Sequence, residues 1–264
     1  MPRFAANLSM MFQEVPFLDR FRAAADAGFR GVEYLFPYDY PVEAVEEPLR
    51  KYGLENVLFN LPPGNWPGGE RGTTCLPGRE DEFRAGVELA VSYAARLKTT
   101  RLHAMAGIVP PDADAAAVRA TYFANLKFAA AELGRHGITL LIEAINTRDM
   151  PGFYLTTQAQ SAAAVAEVDE PNIKMQMDCY HMQVMEGDLS TKLRRYAPWC
   201  GHVQVAGAPE RNEPDTGEIR YAHIFKLLDG LGYAGWVGCE YKPAGKTLDG
   251  LAWFRSLRVE RAAT

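Results

Sequence analysis

Ile-Lys-Met-Gln-Met-Asp, residues 173–178, reads as a short strand that ends on an acid. Ile173, Met175 and Met177 are apolar while Lys174, Gln176 and Asp178 are polar, so a pleated strand sends the two sets to opposite faces. Three more segments end in the same way: Leu-Leu-Ile-Glu (140–143), His-Val-Gln (202–204) and Val-Gly-Cys-Glu (237–240). Glu143, Asp178, Gln204 and Glu240 are spaced by about one strand, one helix and two short loops each.

Working outward from these four, apolar runs at 4–7, 31–34, 56–60 and 101–105 complete a set of eight with 138–143, 173–178, 202–206 and 236–240. Helical periodicity fills the intervals at 17–27, 42–52, 79–97, 114–136, 157–168, 188–196, 221–231 and 248–258. Alternating strands and helices in 264 residues predict an α/β fold, a single (β/α)8 TIM barrel spanning 1–264 with no domain boundary. The rival is an open doubly wound sheet, whose dinucleotide-binding form carries G-x-G-x-x-G after its first strand, and that pattern is absent here.

Composition narrows the function classes. A net charge of −5 with scattered Lys and Arg argues against a nucleic-acid surface, and no apolar run approaches the ~18 residues of a membrane span. Cys75, Cys179, Cys200 and Cys239 form no C-x-x-C pair, so reduced thiols and a cytoplasmic location are expected. Cys179 and Cys239 should pack toward helices by strand alternation.

In a barrel the four polar ends meet at the C-terminal rim, where such folds place their chemistry. Three carboxylates and an amide oxygen repel one another unless a cation sits among them, and all-oxygen ligation suits Mg²⁺ or Mn²⁺ better than zinc. The candidate metal ligands are therefore Glu143, Asp178, Gln204 and Glu240; taken singly, each also reads as a polar strand end. His181 and Arg211 are expected on loops above the rim, where they could hold a hydroxyl and a carboxylate, and Lys242 could add positive charge. The segment 61–79, rich in Pro and Gly, is too long for an ordinary connection, and with Trp66, Glu70 and Arg71 it reads as an active-site lid, Arg71 being a further candidate for an anionic substrate. His136, His223 and Glu186-Gly-Asp188 read as helix ends and solvated turns.

The chain resembles the hydroxypyruvate isomerase family, a branch of the xylose isomerase-like barrels that includes 2-oxo-tetronate isomerases and ketose 3-epimerases. The resemblance rests on Phe-Ala-Ala-Asn-Leu-Ser-Met-Met-Phe (4–12), Phe-Pro-Tyr-Asp-Tyr (36–40), Asn-Leu-Pro-Pro-Gly (60–64), Gly-Glu-Arg-Gly (69–72), Leu-Ile-Glu-Ala-Ile-Asn (141–146), Asp-Met-Pro-Gly-Phe (149–153), Gln-Met-Asp-Cys-Tyr-His-Met-Gln (176–183) and Gly-Cys-Glu-Tyr-Lys-Pro (238–243). It implies a (β/α)8 fold, Glu143 and Glu240 as an acid/base pair, and a divalent metal on Glu143, Asp178, Gln204 and Glu240. The implied reaction interconverts hydroxypyruvate and tartronate semialdehyde through an enediolate, with 2-oxo-tetronate as the alternative substrate; a ketose 3-epimerase, a barrel endonuclease and a non-catalytic sugar-acid binder are the competitors. One segment departs from the family's usual Ala-Asp-Asn-Pro-x-Arg: this chain reads Ala206-Gly-Ala-Pro-Glu-Arg211, and the smaller Gly207-Ala208 is expected to leave room for a longer acid. The implied partner is a small anionic hydroxy-keto acid, and barrels of this size often pair into homo-oligomers.

Overall fold

A computed structural model describes residues 2–262. Eight parallel strands close into a barrel in chain order: β1 (Arg3–Asn7), β2 (Gly31–Glu33), β3 (Glu55–Asn60), β4 (Arg101–His103), β5 (Thr139–Glu143), β6 (Ile173–Asp178), β7 (Cys200–Val205) and β8 (Trp236–Cys239). Around it run α1 (Phe17–Ala27), α2 (Val42–Tyr52), α3 (Glu80–Leu97), α4 (Ala115–Arg135), α5 (Gln158–Val168), α6 (Cys179–Met185), α7 (Leu189–Tyr196), α8 (Tyr221–Gly230) and α9 (Ala252–Ala262). The expected barrel is the one observed. None of the helices among the described residues is long and apolar enough to cross a membrane.

Strand alternation sorts the side chains into two interiors. Met175, Met177, Cys179 and Cys239 join the large core between sheet and helices, while Ala5, Val57, Leu58, Leu141 and Trp236 form a smaller cluster of their own. Above that apolar plug the inward positions become polar, and there the strands end.

Local chemistry sets the boundaries. The Asp114 side chain accepts from Ala116 N at 3.0 Å to start α4, and Thr157 with Gln160 forms a capping box for α5. The expected strand at 101–105 stops at His103 and the expected helix at 248–258 begins only at Ala252, since Leu248 is exposed and turns precede α9. His181, expected on a loop, lies in α6. Asp178 caps that helix: its Oδ1 accepts from Tyr180 N at 2.7 Å, so the chain turns directly from strand into helix.

Residues 61–79 fold into an ordered cap. Cys75 N donates to Ala106 O at 2.8 Å, Thr74 Oγ1 donates to Met105 O at 2.7 Å, and Asn125 Nδ2 donates to Thr74 O at 3.0 Å, tying one half of the segment to β4's exit and to α4. In the other half Arg79 holds Glu70 at 2.8 Å, and the Arg71 guanidinium stacks 4.0 Å above the Trp66 ring.

Candidate active site

The ends of the strands converge on a cavity of about 90 Å³ at the C-terminal mouth. Glu143, Gln204, Glu240, His181 and Arg211 line it from the second half of the barrel, and Asn7, Glu33, Asn60 and His103 line it from the first. Met10, Met105, Met150, Ile145 and Trp66 are among its apolar members, with Leu35 and Leu58. A larger groove of about 680 Å³, between α8 and α9, contains none of the four strand-end ligand candidates, so size does not mark the chemistry.

Burial makes these groups interact strongly. Glu143, Asp178, His181, Gln204, Arg211 and Glu240 are all buried. Donor atoms of Glu143, Asp178 and His181 lie within 4.8 Å of one another, a spacing one ion could span. His181 Nε2 stands 3.7 Å from Asp178 Oδ2 and 4.0 Å from Glu143 Oε1. Those two carboxylate oxygens are buried without a hydrogen-bond partner, which is costly unless something positive meets them. Glu143, Asp178 and His181 thus fit a divalent cation; Glu240, expected as a ligand, falls outside that group, and His181, expected as a substrate contact, falls inside it.

Positive charge from the protein itself comes from Arg211. Its Nη2 is 3.6 Å from Asp178 Oδ2, 3.7 Å from Glu240 Oε1 and 3.3 Å from His181 Nε2, and its Nη1 is 3.6 Å from Asp149 Oδ2. The guanidinium lies 4.9 Å over the Tyr180 ring, and Tyr180 Oη donates to Asp149 Oδ2 at 2.9 Å. Arg211 occupies a turn at φ 60.

Desolvation and mutual repulsion reshape the titrations. Burial raises Glu143 well above the usual carboxylate range, and the charges of Glu240 and Asp178 raise it further against the pull of Arg211. Burial pushes Glu240 up to about 8, with Arg211 opposing and Asp178 and Glu33 adding. Asp178 goes up to about 6, again by burial, with Arg211 and two backbone N–H groups opposing. His181 is held well below its ordinary value by burial and then by Arg211, so it is neutral and one ring nitrogen carries a lone pair. Asn146 fixes its far side, with Nδ2 2.6 Å from Nδ1.

Two substrate-binding candidates are not brought into the cavity. Lys242 lies beyond the end of β8, where alternation no longer applies; its side chain is exposed beside an outer groove with Lys246 and Glu14, and only its backbone N reaches the site, donating to Arg211 O at 2.8 Å. Arg71 is one side chain removed, stacked on Trp66. Nor does Gly207-Ala208 widen the cavity: neither residue lines it, and a Cβ at 207 would meet Glu213 O at 2.6 Å and Thr216 O at 2.7 Å.

Sequence reasoning missed the first half of the rim. His103 sits 3.3 Å from Asn60 Oδ1 and 3.9 Å from Glu143 Oε2 through Nδ1, and burial pushes its pKa down to about 3, with His202 adding. Glu33 takes three hydrogen bonds at the base of the cavity. The signal that identifies them is the one already used for β5 to β8, since β1 to β4 end on Asn7, Glu33, Asn60 and His103.

The model of the xylose isomerase-like TIM barrel family matches residues 21–257. The 2-oxo-tetronate isomerase of Cupriavidus necator is 52% identical, over 97% of this chain and 98% of that one. The hydroxypyruvate isomerase of Escherichia coli is 47% identical, over 98% of this chain and 100% of its own. A crystal structure of an AP endonuclease, family 2, from Brucella melitensis is 50% identical with a TM-score of 0.95, covering 97% of this chain and 99% of that one.

Proposed function

The chain belongs to the xylose isomerase-like TIM barrel family and is an isomerase of the hydroxypyruvate and 2-oxo-tetronate isomerase branch, and we propose that Glu143 and Glu240 are its acid/base pair, acting on a small 2-keto acid bearing a hydroxyl on the neighbouring carbon. The observation that carries this reading is the pair of carboxyls buried in one cavity, on β5 and at the exit of β8, both pushed up by burial, Glu240 to about 8. With β6 and β7 between them, the two strands stand apart around the barrel mouth, which lets the two carboxyls approach adjacent carbons of a substrate from different directions.

For hydroxypyruvate, one carboxylate removes a proton from C3 and the other carboxyl returns a proton to C2, while the hydroxyl proton moves from O3 to O2. C3 becomes the aldehyde and C2 the carbinol of tartronate semialdehyde. A carboxylate whose pKa lies near neutrality is a stronger base than one at 4.5 and still ionises, which suits general catalysis worth ~10²–10⁴-fold. Arg211 binds and orients the substrate carboxylate, and neutral His181 accepts from a substrate hydroxyl or serves as a ligand.

Glu143, Asp178, Gln204 and Glu240 would hold Mg²⁺ or Mn²⁺, with His181 beside them. When bound, such an ion supplies Lewis-acid stabilisation of negative charge developing on oxygen. The unpartnered Glu143 Oε1 and Asp178 Oδ2 support this assignment. The small cavity favours a three- or four-carbon acid over a hexose, and the two relatives named above support hydroxypyruvate and 2-oxo-tetronate alike. Four free cysteines agree with a reducing, cytoplasmic setting.

The test is turnover of hydroxypyruvate, 2-oxo-tetronate and a neutral ketose, each with Mn²⁺ and with EDTA, in deuterated solvent. Deuterium at C2 of the hydroxy-aldehyde product, or at C3 of the recovered keto acid above an enzyme-free control, supports the reading. Turnover of the ketose alone, or binding without exchange, refutes it.

A further inference from the structure

Glu33 ends β2 and is fully buried at the base of the cavity. Its carboxylate takes hydrogen bonds from three strand-borne side chains: Gln204 Nε2 donates to Oε1 at 2.7 Å, Asn7 Nδ2 donates to Oε1 at 3.1 Å, and His202 Nε2 lies 2.8 Å from Oε2. Space for it is reserved on β8, where a Cβ at Gly238 would meet both Glu33 oxygens at 2.4 Å. A buried carboxylate is an expensive way to fill a barrel, and an apolar side chain would pack there without that cost.

What the carboxylate does is decide which way round an amide sits. A side-chain amide has a donor end and an acceptor end of nearly equal size. Gln204 sets its NH₂ on Glu33, which as a carboxylate can only accept, and its Oε1 is thereby turned away and receives Gln176 Nε2 at 2.6 Å. Reversed, the amide would set its N–H groups against the N–H groups of Gln176 and its carbonyl oxygen against the Glu33 carboxylate, leaving no oxygen on the β6 side for a cation.

We propose that Glu33 is a positioning residue: by taking the Gln204 NH₂ it turns that amide's carbonyl oxygen away from β2 and toward Gln176 of β6, the strand that ends on Asp178, so that a neutral side chain can serve as an oxygen ligand of a divalent ion beside Glu143 and Asp178. The inference rests on the metal reading above. Partners that orient a ligand in this way change metal affinity by ~10–100-fold when replaced.

The test measures Mn²⁺ binding to the full chain by the electron paramagnetic resonance of free Mn²⁺, with no substrate present. Glu33→Gln keeps the volume that Gly238 leaves and should weaken Mn²⁺ binding by ~10–100-fold, with kcat recovering at saturating Mn²⁺. The double variant Glu33→Gln/Gln204→Glu places a carboxylate, whose two oxygens are equivalent, at the ligand position above a donor, and should recover most of the lost affinity. If Glu33→Gln does not fold, as judged by circular dichroism, Glu33→Asp retains the charge but withdraws it from Gln204 and should show a loss of the same order. A wild-type protein that binds no Mn²⁺ removes the metal reading and this inference with it. Wild-type affinity in a folded position-33 variant, or no recovery in the double variant, overturns the positioning role and leaves the metal reading standing.

Discussion

Arg211 grips Glu240 twice: its Nη2 lies 3.7 Å from Glu240 Oε1, and its Nε donates to the Glu240 carbonyl at 3.4 Å. The residue expected to read a substrate carboxylate is thus already engaged with the acid at the exit of β8, and it opposes the effect of burial on that acid. Replacing Arg211 with Lys keeps the charge and loses the planar fork. The expected cost is ~1–3 kcal/mol in kcat/KM on hydroxypyruvate, with any turnover of a neutral ketose hardly changed. An equal loss on both would show that Arg211 serves Glu240 and the turn instead of the substrate.

Glu143→Gln and Glu240→Gln should each lower kcat by about a hundredfold or more while the protein stays folded. Each also removes a buried ionisable group from a cluster of like charges, so at pH 8 the thermal midpoint without metal should rise. Steady-state kinetics and calorimetry on the two variants check both halves. Near-wild-type turnover in a folded variant removes that residue from the chemistry.

Without metal, stability should fall as pH rises through the site's titrations. Glu240 moves from 4.5 to about 8 and Asp178 from 3.8 to about 6. The folded protein therefore holds protons that the unfolded chain has lost, and stability slopes downward with pH across that window. The groups facing Glu240 are Arg211, Asp178, Glu33 and Glu143. Thermal midpoints in EDTA between pH 4.5 and 8.5 should decline, and a flat or rising profile would contradict the assigned burial of charge.

Chelation should abolish turnover and Mg²⁺ or Mn²⁺ should restore it. Since the ion binds only the folded state, a concentration a hundred times the dissociation constant adds about 2.7 kcal/mol of stability. Full activity in a demonstrably metal-free preparation would mean that Arg211 and the protein's dipoles stabilise the enediolate unaided.

The barrel was legible because each strand writes its own alternation locally. Met175 and Met177 joining the core under the helices while Gln176 lines the cavity is a pattern within six residues. The metal candidates rest on the same signals, polar residues at strand ends spaced by one strand–helix unit each. Other features depend on geometry that spacing does not carry: His181 sits on a helix because Asp178 turns its own carboxylate back to cap it, and Lys242 points outward because the strand has already ended. Gly207 was read as open space, yet it is packed against carbonyls of its own turn. Glu33 and His103 could have been found, since they obey the same rule of polar strand ends as Glu143 and Asp178.

The apolar ceiling of the cavity bears on the fate of the product. An aldehyde next to a carbinol and a carboxylate adds water readily, and the resulting gem-diol has no carbonyl for the reverse proton transfer. Met10, Met105, Met150 and Trp66 over a space of about 90 Å³ leave little volume for a second water beside a bound acid. An aldehyde product held there would meet little water, and its hydration would fall to the bulk solvent after release.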